Sequence, residues 1–308
     1  MNAQILELPF DPALMAGLSE KLLRSHHQNN YGGAVKRLNA IRSQLAEMPF
    51  ASTPGYLLNG MKREELMATN SMLLHELYFA SLSGDGQPVQ PAMAPAMALA
   101  LAANFGSVER WREEFIALGK AQGGGSGWVL LSFQPREGTL VNQWAADHCH
   151  ALAGGIPILA LDMYEHAYAL DFGAAAGAYV DAFMAHIAWA PVYQRYQDAV
   201  HAASEPLAAT KDDMATALVL DVRRAAVFDN APSMIPGARW CDPATVGQWA
   251  GGLAADRDIV VYCVYGHEVG RATALRLRAA GLRARYLCGG IDGWQAAGRP
   301  LLAKGAAS

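Results

Sequence analysis

The spacing of apolar residues divides the chain into two differently patterned parts. Up to about residue 120 they recur with a helical period. Ser19 is an N-cap signal for a helix carrying Leu22, Leu23 and His26, and a second helical run covers 34–47. After the turn signal STPG at 52–55, residues 61–82 place Leu66, Leu73, Leu74 and Leu77 on one helical face, with His75 in the same run. Two more helices are expected over 92–104 and 108–120. GGGSG then breaks the period, and WVLLSF (128–133), TLVNQWA (139–145) and PILALD (157–162) read as strands. A helical pattern returns at Glu165 and runs to Tyr196, interrupted at Gly173. Helices, a short sheet and further helices predict an α+β domain.

The second part alternates. ALVLDV (217–222), DIVVYCV (258–264) and ARYL (284–287) are strand runs, separated by helical stretches at 243–253 and 270–281. Continuous apolar strands alternating with helices predict a parallel sheet covered on both faces, an α/β domain. Between the parts, residues 198–214 are small and polar, and the boundary is placed near 205: a first unit over 1–200, a linker over 201–213 and a second unit over 214–306.

Length agrees, since 308 residues are about twice the ~150 of one domain. Hydrophobic residues make up 52% and charged ones 17%, which excludes a disordered chain. A net charge of −4 supplies nothing to draw the protein to nucleic acid or an anionic membrane. The most apolar stretch, 91–103, is too short to span a bilayer, and MNAQILELPF lacks the basic-then-apolar pattern of a signal peptide, so a cytoplasmic protein is expected. Four cysteines are too few for a disulfide framework.

Histidine carries the first chemical signal. All but His267 of the nine histidines lie within the first 201 residues. Asp162 closes a strand and His166 follows four residues later, so both can turn toward one ion. His26 and His75 lie on helices able to form a hairpin and face each other. Three imidazole nitrogens and one carboxylate suit redox-active Fe or Mn, although nitrogen and oxygen donors alone do not exclude zinc.

The ordered series LPF (8–10), His26 with RLN (37–39), His75, FGS (105–107), GSGW (125–128) and DMYEHAY (162–168) resembles the iron/manganese superoxide dismutase family over residues 5–200. The resemblance implies a helical hairpin followed by a three-stranded antiparallel sheet with helices. It also implies one Fe or Mn ion held by His26, His75, Asp162 and His166, with superoxide as substrate. Members are dimers or tetramers, and Glu165 matches a glutamate that bridges to the partner's ligand. His148, ahead of His150, falls near the position of a group that hydrogen-bonds the metal's solvent. The pattern departs where the gateway histidine becomes Asn30, the catalytic tyrosine becomes Ala34 and the second tyrosine of EHAYY becomes Ala169. Tyr31 lies three residues out of register.

Cys263 ends a buried strand run and opens onto a helix, where backbone amides and the helix dipole favour thiolate. DVR (221–223), IPGA (235–238), CVYGHEV (263–269) and GGIDGW with GRP (289–294, 298–300) resemble a single rhodanese domain over 214–303. That resemblance implies a persulfide on Cys263, cradled by the loop Val264, Tyr265, Gly266, His267, Glu268 and Val269. Asp221 and Arg223 would shape the fold nearby. The loop carries Glu268 and no Arg or Lys, which disfavours thiosulfate as sulfur donor; Arg271 lies a turn further on.

The leading expectation is an Fe/Mn dismutase fused to a sulfurtransferase domain. Two alternatives stand beside it. One is a persulfide carrier with a metal-bound dismutase-like scaffold. The other is a redox enzyme acting on a larger oxidant, suggested by the lost bulk at Asn30, Ala34 and Ala169; the fusion resembles proteins found alongside bacterial oxyanion resistance, which implies a role in oxyanion stress.

Overall fold

The computed structural model describes residues 2–83, 93 and 95–304. Residues 92 and 94 of the expected 92–104 helix, and 305–306 of the second unit, lie outside that set. In α1 (Glu20–Ser25) the Ser19 hydroxyl accepts the Leu22 amide at 3.1 Å, a side-chain cap on an otherwise orphaned donor. The chain continues without a break through a π-helical turn, His26–Tyr31, into α2 (Gly32–Ala46). The long helix α3 (Gly55–Phe79) packs along α2, and α4 (Pro95–Phe105) and α5 (Val108–Ala121) follow.

Strands β1 (Trp128–Gln134), β2 (Thr139–Ala145) and β3 (Ile156–Asp162) form an antiparallel sheet in the order β2-β1-β3. Gly127 explains why GSGW precedes it. Its φ is +134°, and a Cβ there would lie 2.1 Å from the Ala145 carbonyl oxygen, so only glycine fits. Its own carbonyl accepts the Met163 amide at 2.9 Å, which pins the chain just beyond β3. The expected helical stretch 165–196 is divided into a 3₁₀ turn (Glu165–Ala167), α6 (Ala169–Phe172), α7 (Ala176–Ala185) and α8 (Trp189–Ser204). Arg195 on α8 donates to Ile158 O and Ser81 Oγ, both at 2.8 Å, fastening the helix to β3 and the end of α3.

The second part contains β4 (Ala208–Ala209), β5 (Leu218–Asp221), α9 (Ala225–Asn230), β6 (Ser233–Met234), β7 (Arg239–Trp240), α10 (Val246–Trp249), β8 (Asp258–Tyr262), α11 (Glu268–Ala279), β9 (Arg283–Leu287), α12 (Gly290–Ala296) and β10 (Leu302–Ala303). Five strands make a parallel sheet in the order β4-β9-β8-β5-β7, and β6 pairs with β10. Apolar clusters cover both faces, as continuous apolar strands require. The buried Asp221 carboxylate takes the Arg223 guanidinium at 2.9 Å and the Tyr262 hydroxyl at 2.8 Å, tying the start of this sheet together.

Two readings are corrected. The stretch 201–213 is not a free linker: α8 runs through it to Ser204, and Ala208–Ala209 joins the parallel sheet as an edge strand. Its small residues suit that edge, and the Asp213 carboxylate accepts from Thr210 N at 2.7 Å and pairs with Arg285 at 3.0 Å. The helix expected over 243–253 is a 3₁₀–α–3₁₀ series around α10. Among the described residues no helix is long and apolar enough to cross a membrane.

The two parts share α11. Ala274 and Leu277 enter the core of the parallel sheet, while Leu275 packs in the core of the first part. The β1–β2 turn meets this helix at Gly138, where a Cβ would lie 2.8 Å from Leu275 Cβ and 3.0 Å from Ala272 O, on a backbone with φ +66°. Gly138→Val should therefore cost about 1–3 kcal/mol and loosen the contact between the parts. Thermal unfolding should shift down or split into two transitions; an unchanged single transition would contradict this packing.

Candidate metal centre and cysteine loop

Three elements bring four side chains together. Trp128 of β1 pairs with Asp162 at the end of β3, so the GSGW and DMYEHAY stretches are neighbours in the sheet. The turn after β3 swings His166 back over Asp162, and the Tyr164 amide donates to Asp162 Oδ1 at 2.9 Å, leaving Oδ2 free to face inward. His26 Nε2 and His166 Nε2 each lie 3.1 Å from that oxygen and His75 Nε2 lies 3.4 Å away. One donor atom from each of the four lies within 4.8 Å of the others. His26, His75 and Asp162 are at most 1% exposed. Only the His166 side chain, at 25%, reaches solvent, so the site opens on that side.

The proton positions favour a cation. His75 Nδ1 donates to the Ser71 carbonyl at 2.6 Å, so the neutral ring presents a lone pair at Nε2. That lone pair faces the Asp162 carboxylate and, at 3.4 Å, His166 Nε2. Burial pushes the His75 pKa down to about 3 and lowers that of His26, so both rings are neutral at physiological pH. Burial alone would raise the Asp162 pKa, but the electrostatic pull of His166 and the hydrogen bonds of His166 and His26 outweigh it and hold the carboxyl below its usual range. Electron-rich nitrogens crowding one anionic oxygen form a preorganised cradle for a positive ion. Three imidazoles and a carboxylate with room for solvent fit Fe or Mn.

Around the four, His148 stacks on Tyr164 at 4.8 Å and Tyr164 stacks on His166 at 5.3 Å. Trp128 Nε1 donates to His148 Nδ1 at 2.9 Å, which fixes the proton of the neutral ring on Nε2. Burial lowers the His148 pKa and keeps it in that neutral form. His150 instead faces outward, stacked on Trp144. Glu165 is exposed beside His166. Tyr31, three residues out of register by sequence, ends the π-helical turn and is brought to 6.5 Å from the His75 ring. Its hydroxyl donates to Glu76 at 3.0 Å and accepts from the Leu6 amide at 2.9 Å, so it seals the pocket wall. No sequence signal marks that extra turn.

Cys263 lies just past β8, 5% exposed. The amides of Gly270, Gly266 and His267 point at its sulfur and draw the thiol pKa down, but burial outweighs them and raises it. Burial therefore works against the thiolate that the loop amides favour. Within the 264–269 loop, Gly266 with φ +71° makes the turn, and a Cβ there would lie 2.7 Å from the Gly289 amide nitrogen. The Cys263 and Val264 carbonyls accept from Ile291 and Asp292, each at 3.0 Å. Tyr265 and His267 stand exposed at the mouth, their rings 5.7 Å apart. Glu268 pairs with Arg224 at 3.2 Å and, with Val269, lines a cavity between the two parts, while its charge still helps to raise the Cys263 thiol pKa. Arg271 lies behind the loop, donating to Gly266 O at 2.9 Å. Gly270 was missed: it lies one residue past the expected stretch, in a second glycine spaced four from Gly266.

Fold and centre together define a metal-binding α+β domain joined to a cysteine-loop α/β domain. The family model for iron/manganese superoxide dismutases, C-terminal domain, matches residues 93–195, and that for the rhodanese-like domain matches 203–297. The chain is 62% identical over 200 residues to "Superoxide dismutase [Fe]" of Cupriavidus metallidurans, covering 65% of this chain and 99% of that protein. It is 36% identical over 209 residues to "Superoxide dismutase [Mn] 2" of Halobacterium salinarum, covering 64% and 96% respectively. With "Superoxide dismutase [Fe]" of Aquifex pyrophilus it shares 31% over 199 residues, 62% of this chain and 90% of that protein. The chain belongs to the iron/manganese superoxide dismutase family and carries a rhodanese-like domain after it.

A Cβ on Gly270 would lie 3.3 Å from the Cys263 sulfur, closer than an ordinary contact, and would crowd the sulfur. Gly270→Ala should cut persulfide loading of Cys263 about tenfold, equivalent to about 1.4 kcal/mol. The mass increment of one sulfur after incubation with a sulfane donor measures it; undiminished loading would contradict the cradle.

Proposed function

We propose that the first domain dismutates superoxide at the centre formed by His26, His75, Asp162 and His166. The observation that carries this reading is the convergence of three imidazole Nε2 atoms on Asp162 Oδ2 in a buried site. Bound Fe or Mn would supply a one-electron couple, taking an electron from one superoxide to give O₂ and passing it to a second, which takes two protons to give H₂O₂. The residues here hold that couple and manage protons. Neutral His26 and His75 keep lone pairs available across physiological pH, and one carboxylate leaves the loaded site net positive toward an anion. His148, its Nδ1 engaged by Trp128, offers the Nε2 proton on the open side. Tyr31, its hydroxyl held by both Glu76 and the Leu6 amide, keeps water out.

Cys263 is the proposed sulfur carrier. The Cys263 thiol gives up its proton and, as thiolate, attacks the outer sulfur of a sulfane donor; the new S–S bond forms as the donor's bond breaks, and the leaving group departs with the electron pair and takes up a proton. An acceptor nucleophile then removes the outer sulfur and regenerates the thiolate. The pairing of Glu268 with Arg224 offsets part of the negative charge the loop presents to an anionic donor. A homodimer formed around the exposed Glu165 beside His166, and a cytoplasmic location, complete the reading.

Metal content and superoxide consumption measured on one sample test the first activity. Wild type should hold about one Fe or Mn per chain and consume superoxide well above the rate of free metal. His166→Ala should lose at least about tenfold in metal affinity and in activity. A metal-loaded wild type no faster than free metal would overturn the assignment.

A further inference from the structure

A cavity of about 370 Å³ lies between the two parts, and neither Asp162 nor Cys263 lines it. That volume lies in the range of small-molecule sites. One wall is apolar, formed by Leu99, Ala100 and Ala103 of α4 and by Val269 and Ala272 facing them. The polar groups are few, and most are already engaged. Arg224 pairs with Glu268 at 3.2 Å, and Glu268 also takes the Tyr193 hydroxyl. Asp242 accepts the Ala244 amide at 2.9 Å within its own loop.

Arg276 and Tyr196 are different. Burial pushes the Arg276 guanidinium pKa below its ordinary value, so its charge is held at a desolvation cost. Among the described residues no carboxylate lies within ion-pair distance of it, and none hydrogen-bonds the Tyr196 hydroxyl, although Tyr196 is only 4% exposed. Both line the same cavity. The Arg276 side chain is partly buried, and neither it nor the Tyr196 hydroxyl is sealed from solvent, so both present their polar ends to the cavity, where a ligand carrying acceptors and negative charge can replace water. The rest of the wall asks for hydrocarbon. A bare inorganic anion would leave that wall wet, and a neutral apolar molecule would leave the guanidinium uncompensated.

We propose that this interdomain cavity binds a medium-chain alkyl monocarboxylate, its carboxylate on Arg276 and Tyr196 and its chain against α4 and α11. Charge-assisted, paired hydrogen bonds to guanidinium would set the affinity. The site exists only when the two parts are docked, so such a ligand also stabilises their contact. Glu268 and Val269 belong both to this cavity and to the loop after Cys263, which places the ligand next to the cysteine loop. The inference rests on neither proposed activity.

Isothermal titration of the full-length, metal-loaded chain with octanoate tests it. Octanoate should bind once per chain, and 1-octanol and inorganic phosphate should each bind at least about tenfold more weakly. Arg276→Gln should weaken octanoate binding about tenfold or more, with metal content unchanged. Ala103→Leu, which fills the apolar wall without touching the charge, should abolish binding and guards against a folding defect in the first variant. Failure of octanoate to bind, equal binding of phosphate, or unchanged affinity in both variants would overturn the proposal.

Discussion

A buried carboxylate at the end of β3 is the constraint on which the first domain depends. Asp162 is fully buried, and its inward oxygen is faced by three imidazole nitrogens rather than by a lysine or arginine. A buried charge without a full counter-charge is costly, and removing any one member of such a cluster leaves the others uncompensated. The surrounding fold holds the cluster in place. The π-helical turn delivers His26, the end of α3 delivers His75, and the Gly127–Met163 contact fixes the strand end that carries Asp162. A positive ion is the partner that turns this arrangement from a liability into a stable centre, so binding and local stability are linked.

The second constraint is the shared helix. α11 begins at the cysteine loop, buries Ala274 and Leu277 under the parallel sheet, and sends Leu275 into the first domain. Its apolar residues therefore satisfy two cores from one helix. Arg271, from the first turn of that helix, bonds Gly266 O and, at 3.2 Å, Ser204 Oγ at the end of α8. The loop that holds Cys263 is thus braced by both domains. The fused arrangement is a packed unit rather than two beads on a tether, which is why residues 201–213 do not behave as a linker.

Much of the centre was legible in the sequence because it is written locally. A strand ending in Asp162 with His166 four residues later, and GSGW ahead of it, carry their geometry within short stretches. Spacing alone does not separate His148 from His150; in the structure His148 accepts from Trp128 and stacks on Tyr164 beside His166, whereas His150 stacks on Trp144. Other features were hidden for physical reasons. A π-helical turn has no residue signature, so Tyr31 read as out of register although it reaches the pocket wall. Strands of two residues such as Ala208–Ala209 exist only through tertiary pairing. The state of the Cys263 thiol depends on burial supplied by distant chain, and local amides alone suggested the opposite. Arg271 reads as a candidate anion binder one turn past the loop, but the structure spends it on a carbonyl.

The four side chains of the candidate centre are all present and converge, whereas the residues that replace bulkier family groups differ in setting: Ala34 is buried, Asn30 half-buried and Ala169 exposed. The most direct measurement of the central claim is anomalous diffraction at the Fe and Mn absorption edges on crystals of the purified full-length protein. The account predicts one metal peak per chain, in contact with His26, His75, Asp162 and His166. A peak elsewhere, or none in protein shown to be metal-replete, would contradict it.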